Sequence, residues 1–69
     1  MKELTKKQKN VLDAVKAYIA KEGFPPTCQE LQTILGFASA NSITGYLDAI
    51  EKKGFIKRKP RLSRSIVVL

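Results

Sequence analysis

Apolar residues recur at helical spacing in three stretches of the chain, each bounded by residues that begin or end helices. In the first stretch, at about 100° per residue, one arc of about 120° holds Val11, Leu12, Val15, Tyr18 and Ile19. Thr5 and Gln8 match the capping pattern S/T-x-x-E/Q, so we expect this helix to begin near Lys6. Gly23 is expected to end it, and the following Phe-Pro-Pro to form an extended connection.

A second, shorter helix is predicted between Thr27, whose pairing with Glu30 repeats the capping pattern, and Gly36. Its apolar side consists of Cys28, Leu31, Ile34 and Leu35. Only a few residues separate it from a third helix, for which Ser39 is the expected N-cap and Gly54 the residue just past the C-terminus. This spacing is typical of a helix-turn-helix, in which the turn often contains glycine.

Beyond the third helix the pattern changes to β character. Residues 55–59 are predicted as a strand, 60–63 as a turn and 64–69 as the return strand. A two-stranded hairpin is marginal by itself, so we expect it to pack against the helices. Three helices followed by a hairpin predict a mainly α fold with a small antiparallel β-hairpin, the winged helix-turn-helix, as a single domain over residues 1–69.

The third helix has an apolar side and a polar side. Ile43, Tyr46, Leu47 and Ile50 form the side that we expect to be buried. The opposite side consists of Asn41, Gly45, Asp48 and Lys52, flanked by Ser42 and Thr44. We call these six residues the outer strip. A recognition helix presents its N-terminal residues to base edges in DNA. The candidates for base contact are therefore Ser39, Asn41, Ser42, Thr44 and Gly45. Asparagine pairs with adenine, and serine or threonine bonds to either base type.

Plainer explanations exist for two features of the outer strip. A polar helix face is often only a solvated surface. Gly45 in the middle of a helix costs about 1 kcal/mol relative to alanine. Close approach of the backbone to a ligand would compensate for that cost, whereas sequence drift would need no compensation. The residues alone leave both explanations open.

Charge is distributed unevenly along the chain, whose formal net charge is +7. Residues 52–64, the basic segment, contain many Lys and Arg residues and no Asp or Glu. Such a segment beside a helix-turn-helix favours contact with DNA phosphates. The candidates are Lys52, Lys53, Lys57, Arg58, Lys59, Arg61 and Arg64. The alternative roles are solubility and protection of an edge strand from aggregation.

Other residue types narrow the class of protein. One Cys and no His exclude an internal disulfide and a Cys/His metal cluster, and we expect no cofactor. Cys28 is expected to be a buried structural thiol, the alternative being a redox-sensitive thiol at a helix N-terminus. No apolar run approaches the roughly 20 residues of a membrane span, and no secretory signal is present. We therefore expect a cytoplasmic protein. No Ser/Lys or carboxylate pair has a spacing that indicates catalysis, so we expect that it is not an enzyme.

The chain resembles the N-terminal DNA-binding domain of LexA-type SOS repressors over essentially its whole length. The resemblance rests on four segments in order: the opening LT..Q, the connection GFPPT, the segment LGFxSxNSI and the wing entry KKGFI. It implies a bacterial or phage-encoded, nucleoid-associated repressor that occupies a palindromic operator in the DNA-damage response. It also implies that the third helix reads the major groove through the base-contact candidates above. Phosphate contacts would come from wing residues such as Lys53, Arg61 and Arg64.

Two departures from the family bear on function. Several relatives carry other residues, often acidic, at the positions of Thr44 and Gly45, so the family's operator sequence does not transfer. Family members normally continue into a self-cleaving Ser/Lys peptidase domain that provides most of the dimerisation. The sequence ends at Leu69, so we expect no self-cleavage and a weak or DNA-templated homodimer. The second hypothesis is a protein-interaction module, either an antirepressor or a partner of a full-length repressor.

Overall fold

A computed structural model describes residues 3–59, 62 and 64–69. Its elements, in chain order, are α1 (Lys6–Glu22), α2 (Cys28–Leu35), α3 (Ala40–Lys52), β1 (Ile56–Lys57) and β2 (Val67–Val68). The predicted fold, mainly α with a small antiparallel hairpin, is confirmed. Within the described ranges, no helix has the length and apolar character that crossing a membrane requires.

Complete capping boxes begin the first two helices. Thr5 Oγ1 accepts from the backbone N of Gln8 at 3.2 Å, and Gln8 Oε1 accepts from the backbone N of Thr5 at 3.0 Å. Thr27 and Glu30 make the same two bonds at 3.1 and 2.9 Å. Gly23 ends α1 with a φ of 84°, in the left-handed region that favours glycine. The predicted helix boundaries therefore rest on real hydrogen bonds.

All three helices contact one another, and β1 packs against α3. Among the described residues, the buried apolar core consists of Val11, Leu12, Val15, Leu31, Ile43, Leu47, Ile50, Ile56 and Ile66. The predicted buried side of α3 is confirmed for Ile43, Leu47 and Ile50. Tyr46, expected on the same side, is only half-buried at the edge of this core. Because the core draws on every helix and on the wing, it fixes the orientation of α3 relative to both.

The apolar side of α2 is buried only in part. Ile34, placed on that side by the sequence pattern, is 53% exposed. Cys28 was expected to be buried and is half-buried. In this eight-residue helix only Leu31 is classed as buried. The contact between α2 and the core is therefore narrower than its apolar pattern indicates.

The wing, residues 55–69, is an antiparallel pair in which Ile56 lies opposite Val68 and Lys57 opposite Val67. Ile56 points into the core and Lys57 points out. The predicted turn residues Pro60 and Ser63 lie outside the described residues.

Both predicted strands, 55–59 and 64–69, were too long. At the end of β1 the backbone N of Arg58 donates to Glu51 Oε2 at 3.1 Å, so it is bonded to a helix side chain and not to β2. Arg64 has a φ of 57°, in the left-handed region, which a strand does not accommodate. The ladder between the strands therefore includes neither Arg58 nor Arg64.

Candidate nucleic-acid interface

The outer strip of α3 is exposed to solvent along its whole length: Asn41, Ser42, Thr44, Gly45, Asp48 and Lys52. On the opposite side of the helix, Ile43, Leu47 and Ile50 have no exposed surface. Turning α3 about its axis would bury polar groups and expose these three residues. The outward orientation predicted for the strip is confirmed.

No contact among the described residues requires glycine at position 45. A Cβ added to Gly45 would meet none of their atoms within 4 Å. Its φ is not in the left-handed region either, since only Gly23, Gly36 and Gly54 among the described glycines have positive φ. The reason for Gly45 therefore lies outside the intramolecular contacts, either in a ligand that approaches the backbone or in drift.

Ser39 is the N-cap of α3, as predicted, with φ −147° and ψ 153°, but its side chain makes no capping hydrogen bond. Its Oγ lies 3.5 Å from Oγ of Ser42, which is longer than the usual 2.5–3.0 Å for two hydroxyls. Both side chains are exposed. An outside partner can replace this long contact and engage both hydroxyls.

The turn between α2 and α3 is held by an aromatic pair. The ring centroids of Phe37 in the turn and Tyr46 in α3 lie 5.4 Å apart. Gly36 ends α2 with a φ of 72° and lets the chain reverse into this turn. The pair fixes where α3 begins relative to α2, and therefore how far the start of the outer strip projects.

Arg58 joins the wing to the outer strip. Its guanidinium forms ion pairs with Asp48, through Nη2, and with Glu51, through Nε at 3.2 Å from Oε1. Its backbone N also donates to Glu51. We call these three residues the Arg58 cluster. Because Asp48 belongs to the outer strip, the cluster places the wing beside the C-terminal half of that strip.

Arg64 fastens the far side of the wing to the start of α2. Its Nη1 and Nη2 donate to the two carboxylate oxygens of Glu30 at 2.8 and 2.9 Å, and Nη1 also donates to the carbonyl of Pro25 at 3.2 Å. The guanidinium lies 4.8 Å from the ring centroid of Phe24, a cation–π distance. These contacts fasten the side chain of Arg64 to α2 and to the connection that precedes it.

The electrostatics of Glu30 follow from this geometry. Hydrogen bonds stabilise the carboxylate of Glu30. The larger effect comes from the Arg64 side chain and the next from the backbone N of Thr27, and together they lower the pKa of Glu30 from 4.5 to about 2. The same hydrogen bond to Glu30 raises the pKa of Arg64. Glu30 therefore serves both the α2 capping box and the wing, and it does so as an anion.

Lys53, a predicted phosphate contact, is turned toward α1. Its Nζ donates to the carbonyl of Glu3 at 2.7 Å and to Oε1 of Gln8 at 2.9 Å. Gln8 Oε1 is also the acceptor in the α1 capping box. Lys53 thus links the end of α3 to the start of α1.

Three other lysines of the basic segment extend from the surface: Lys52, Lys57 and Lys59. Within the described ranges none of their ammonium groups pairs with an acid. The remaining candidate, Arg61, lies outside those ranges. The seven predicted phosphate contacts therefore divide into three solvated lysines, three residues bound within the protein and one that the structure does not describe.

The LexA DNA binding domain family model matches residues 1–65. The chain belongs to the LexA DNA-binding domain family. LexA repressors from Bacillus mycoides (strain KBAB4), Bacillus cytotoxicus and Bacillus anthracis are each 38% identical to it over 69 residues, which is the whole chain. The chain spans about a third of the length of these relatives, 34%. The family resemblance seen in the sequence is confirmed.

Sequence reasoning missed the intramolecular roles of three cations in this LexA-type domain. Arg64 and Glu30 are 34 residues apart, and Lys53 and Glu3 are 50 apart, so no local spacing connects them. Arg58 lies only seven residues after Glu51. For the Arg58–Glu51 pair, two opposite charges close in sequence on either side of the turn after α3 were therefore a weak signal of contact.

Proposed function

We propose that this LexA-type domain binds double-stranded DNA sequence-specifically and represses transcription by occupying an operator. In this proposal α3 enters the major groove, which is wide enough for a helix, and the wing lies along the phosphate backbone. The observation that carries the proposal is the juxtaposition of an exposed polar strip with a basic wing through the Arg58 cluster. The repressor names of the Bacillus relatives support it.

Base contacts are proposed for the first two turns of α3: Ser39, Asn41, Ser42, Thr44 and Gly45. All five are exposed and lie at the end of α3 farthest from the wing entry. Asn41 is the residue for which a bidentate contact with adenine is available. The open space at Gly45 would let the helix backbone come close to a base or sugar.

Phosphate contacts are proposed first for Lys52, Lys57 and Lys59, whose ammonium groups reach solvent. The earlier candidates Lys53, Arg58 and Arg64 would have to leave their carbonyl or carboxylate partners before they could bind phosphate. Arg61 remains a candidate on sequence alone. Each phosphate neutralised makes binding more dependent on salt, without adding sequence preference.

The finer proposals concern assembly and context. Two copies would bind a palindrome, pairing weakly or only on DNA, because a palindrome offers two equivalent half-sites. The domain would act at the bacterial nucleoid, encoded by the cell or a phage, in the SOS response to DNA damage. We propose no enzymatic role, metal or cofactor for these residues.

Selection of sites from a random duplex pool, followed by binding titrations at several salt concentrations, tests the function. We expect a symmetric motif and a steep salt dependence. Asn41→Ala should lose about 1–3 kcal/mol on the selected site and little on scrambled DNA. Lys52→Ala should weaken both and flatten the salt slope by about one unit.

Two results would contradict the proposal. One is equal loss on both duplexes for Asn41→Ala, which would remove base reading by the outer strip. The other is recovery of no preferred site, combined with capture of a protein partner that survives high salt. That pair of findings would favour the protein-interaction module.

A further inference from the structure

The Arg58 cluster is an unusual feature for a surface that is proposed to meet DNA. Asp48 lies on the outer strip with 63% of its side chain exposed, whereas the side chain of Arg58 is only 17% exposed. Glu51 is 35% exposed and contacts Arg58 through both its guanidinium and its backbone N. One cation is thus enclosed by two carboxylates, and the cluster carries a formal charge of −1.

This arrangement acts against affinity in two ways. An arginine next to a groove-entering helix is well suited to bidentate contact with phosphate, but here the Nε and Nη2 donors of Arg58 already bind acids. The carboxylate of Asp48 is also exposed on the outer strip, where its negative charge would repel phosphates. Neither effect depends on base sequence, because every duplex presents the same phosphates.

Asp48 itself covers little of the protein surface, since its side chain is largely solvated. Exposed ion pairs contribute about 0–1 kcal/mol to folding, so stability alone gives little reason for the Asp48 contact. Lys52, on the same strip, and Lys57, next to Arg58 in the chain, contact no acid among the described residues. Arg64 also pairs with an acid, but it does so at the start of α2. Among Lys52, Lys57 and Arg58, beside the C-terminal half of the outer strip, it is Arg58 whose charge is masked.

We propose that Asp48 and Glu51 hold Arg58 as a masked cation and that this cluster sets the overall affinity for DNA of any sequence. The inference rests on the proposed function and deepens it. Base preference stays with the N-terminal half of the outer strip, and the cluster lowers binding to preferred and unrelated duplexes by the same factor. Asp48 is the determining residue, because it binds Nη2 of Arg58 and itself lies on the outer strip.

Asp48→Asn tests this, with Asp13→Asn as the matched control. Asp13 is an exposed acid in α1, outside the proposed interface, and its replacement changes net charge equally. Releasing Arg58 should add about one phosphate contact, which steepens the salt slope by about 0.9 and raises affinity roughly tenfold near 50 mM salt. The gain should be the same on the selected and scrambled duplexes, and it should exceed that of Asp13→Asn.

The Arg58→Gln background separates masking from simple repulsion. If Arg58 is the source of the gain, adding Asp48→Asn to Arg58→Gln should change affinity no more than Asp13→Asn does. Thermal melts of each variant would establish that the domain remains folded.

Three results would overturn the inference while leaving the proposed function standing. The first is an equal change in DNA affinity for Asp48→Asn and Asp13→Asn. The second is a gain in affinity from Asp48→Asn that persists in the Arg58→Gln background. The third is a loss of affinity confined to the selected duplex. The last would make Asp48 a base contact. Absence of salt-dependent binding by the wild-type domain would overturn the proposed function and the inference together.

Discussion

The helix-turn-helix and the wing are held in place by different forces. The helices carry Leu31, Ile43, Leu47 and Ile50 with no exposed surface, and the helices before α3 begin at capping boxes. The wing has strands of only two residues. It is fastened to the helices by Ile56 and Ile66 in the core and by two arginines that pair with helix carboxylates.

This difference indicates which contacts of the proposed interface can change when DNA binds. Apolar burial is insensitive to salt and to the approach of DNA, so the position of α3 is set before binding. Ion pairs at a surface are weakened by salt and compete with phosphates. The wing is therefore held in part by ion pairs that can be exchanged for DNA contacts, whereas the contacts that position α3 against the other helices are apolar.

The largest expected effect comes from the α3 core. Leu47→Ala removes a fully buried side chain and should cost about 2–5 kcal/mol of unfolding free energy, a large share of the stability of a domain this small. Val67→Ala in the wing, where the side chain is 55% exposed, should cost less than about 1 kcal/mol. Urea denaturation of both variants measures the contrast, and equal losses would show that the wing is as tightly packed as the helices.

Helix capping offers the next largest effect. Thr27→Ala breaks the α2 capping box and should cost about 0.5–2 kcal/mol. Ser39→Ala is the matched change at the N-cap of α3, where no side-chain capping bond exists, so it should leave stability nearly unchanged. Thermal melts without DNA compare the two. A cost for Ser39→Ala as large as that for Thr27→Ala would mean that Ser39 caps α3 in solution.

The parts of the fold that sequence predicts are those governed by short-range rules. Thr5, Thr27 and Gly36 mark helix ends because capping and left-handed φ act within four residues. The buried side of α3 follows from its 3.6-residue period. The periodic pattern failed at Ile34, because only the packing of neighbouring elements decides how wide a buried face is.

The wing was less predictable for a physical reason. A cationic side chain carries no period, and its partner can lie anywhere that the fold brings near. Arg64 therefore appeared as a phosphate candidate, although its guanidinium is bound to Glu30 and packed on Phe24. The strand lengths failed for the same reason, since Arg58 takes its backbone partner from α3 and not from β2.

At Gly45, the effect of a substitution on folding stability can be distinguished from its effect on DNA binding. Since a Cβ meets open space there, Gly45→Ala should stabilise the free domain by about 1 kcal/mol through helix propensity. If DNA approaches the backbone at this point, the same variant should bind the selected duplex more weakly despite its greater stability. Parallel thermal melts and binding titrations measure both. A more stable variant with unchanged DNA affinity would assign the glycine to drift.

The smallest effect concerns the contact between wing and α2 in acid. The pKa of Glu30 is lowered from 4.5 to about 2 by Arg64 and Thr27, so its contribution to stability is complete above about pH 4.5 and is lost as pH falls toward 2. Glu30→Gln keeps an acceptor for the capping box but removes the charge. The stability advantage of wild type over Glu30→Gln should therefore be present at neutral pH and shrink across that acidic range.

Arg64→Gln supplies the complementary variant for this pair. It should remove the part of the pH-dependent component that the Arg64 hydrogen bond supplies and leave the part supplied by Thr27. The losses of the two single variants should sum to more than the loss of the double variant, because both changes break the same ion pair. Melting curves between pH 7 and 2 for the four proteins measure this coupling. Additive losses would show that the bidentate contact does not hold the wing in solution. Arg64 would then be available to phosphate, as the sequence predicted. Of the two arginines, only Arg58 would then fasten the wing by charge, in contrast to α3, which is positioned by apolar packing.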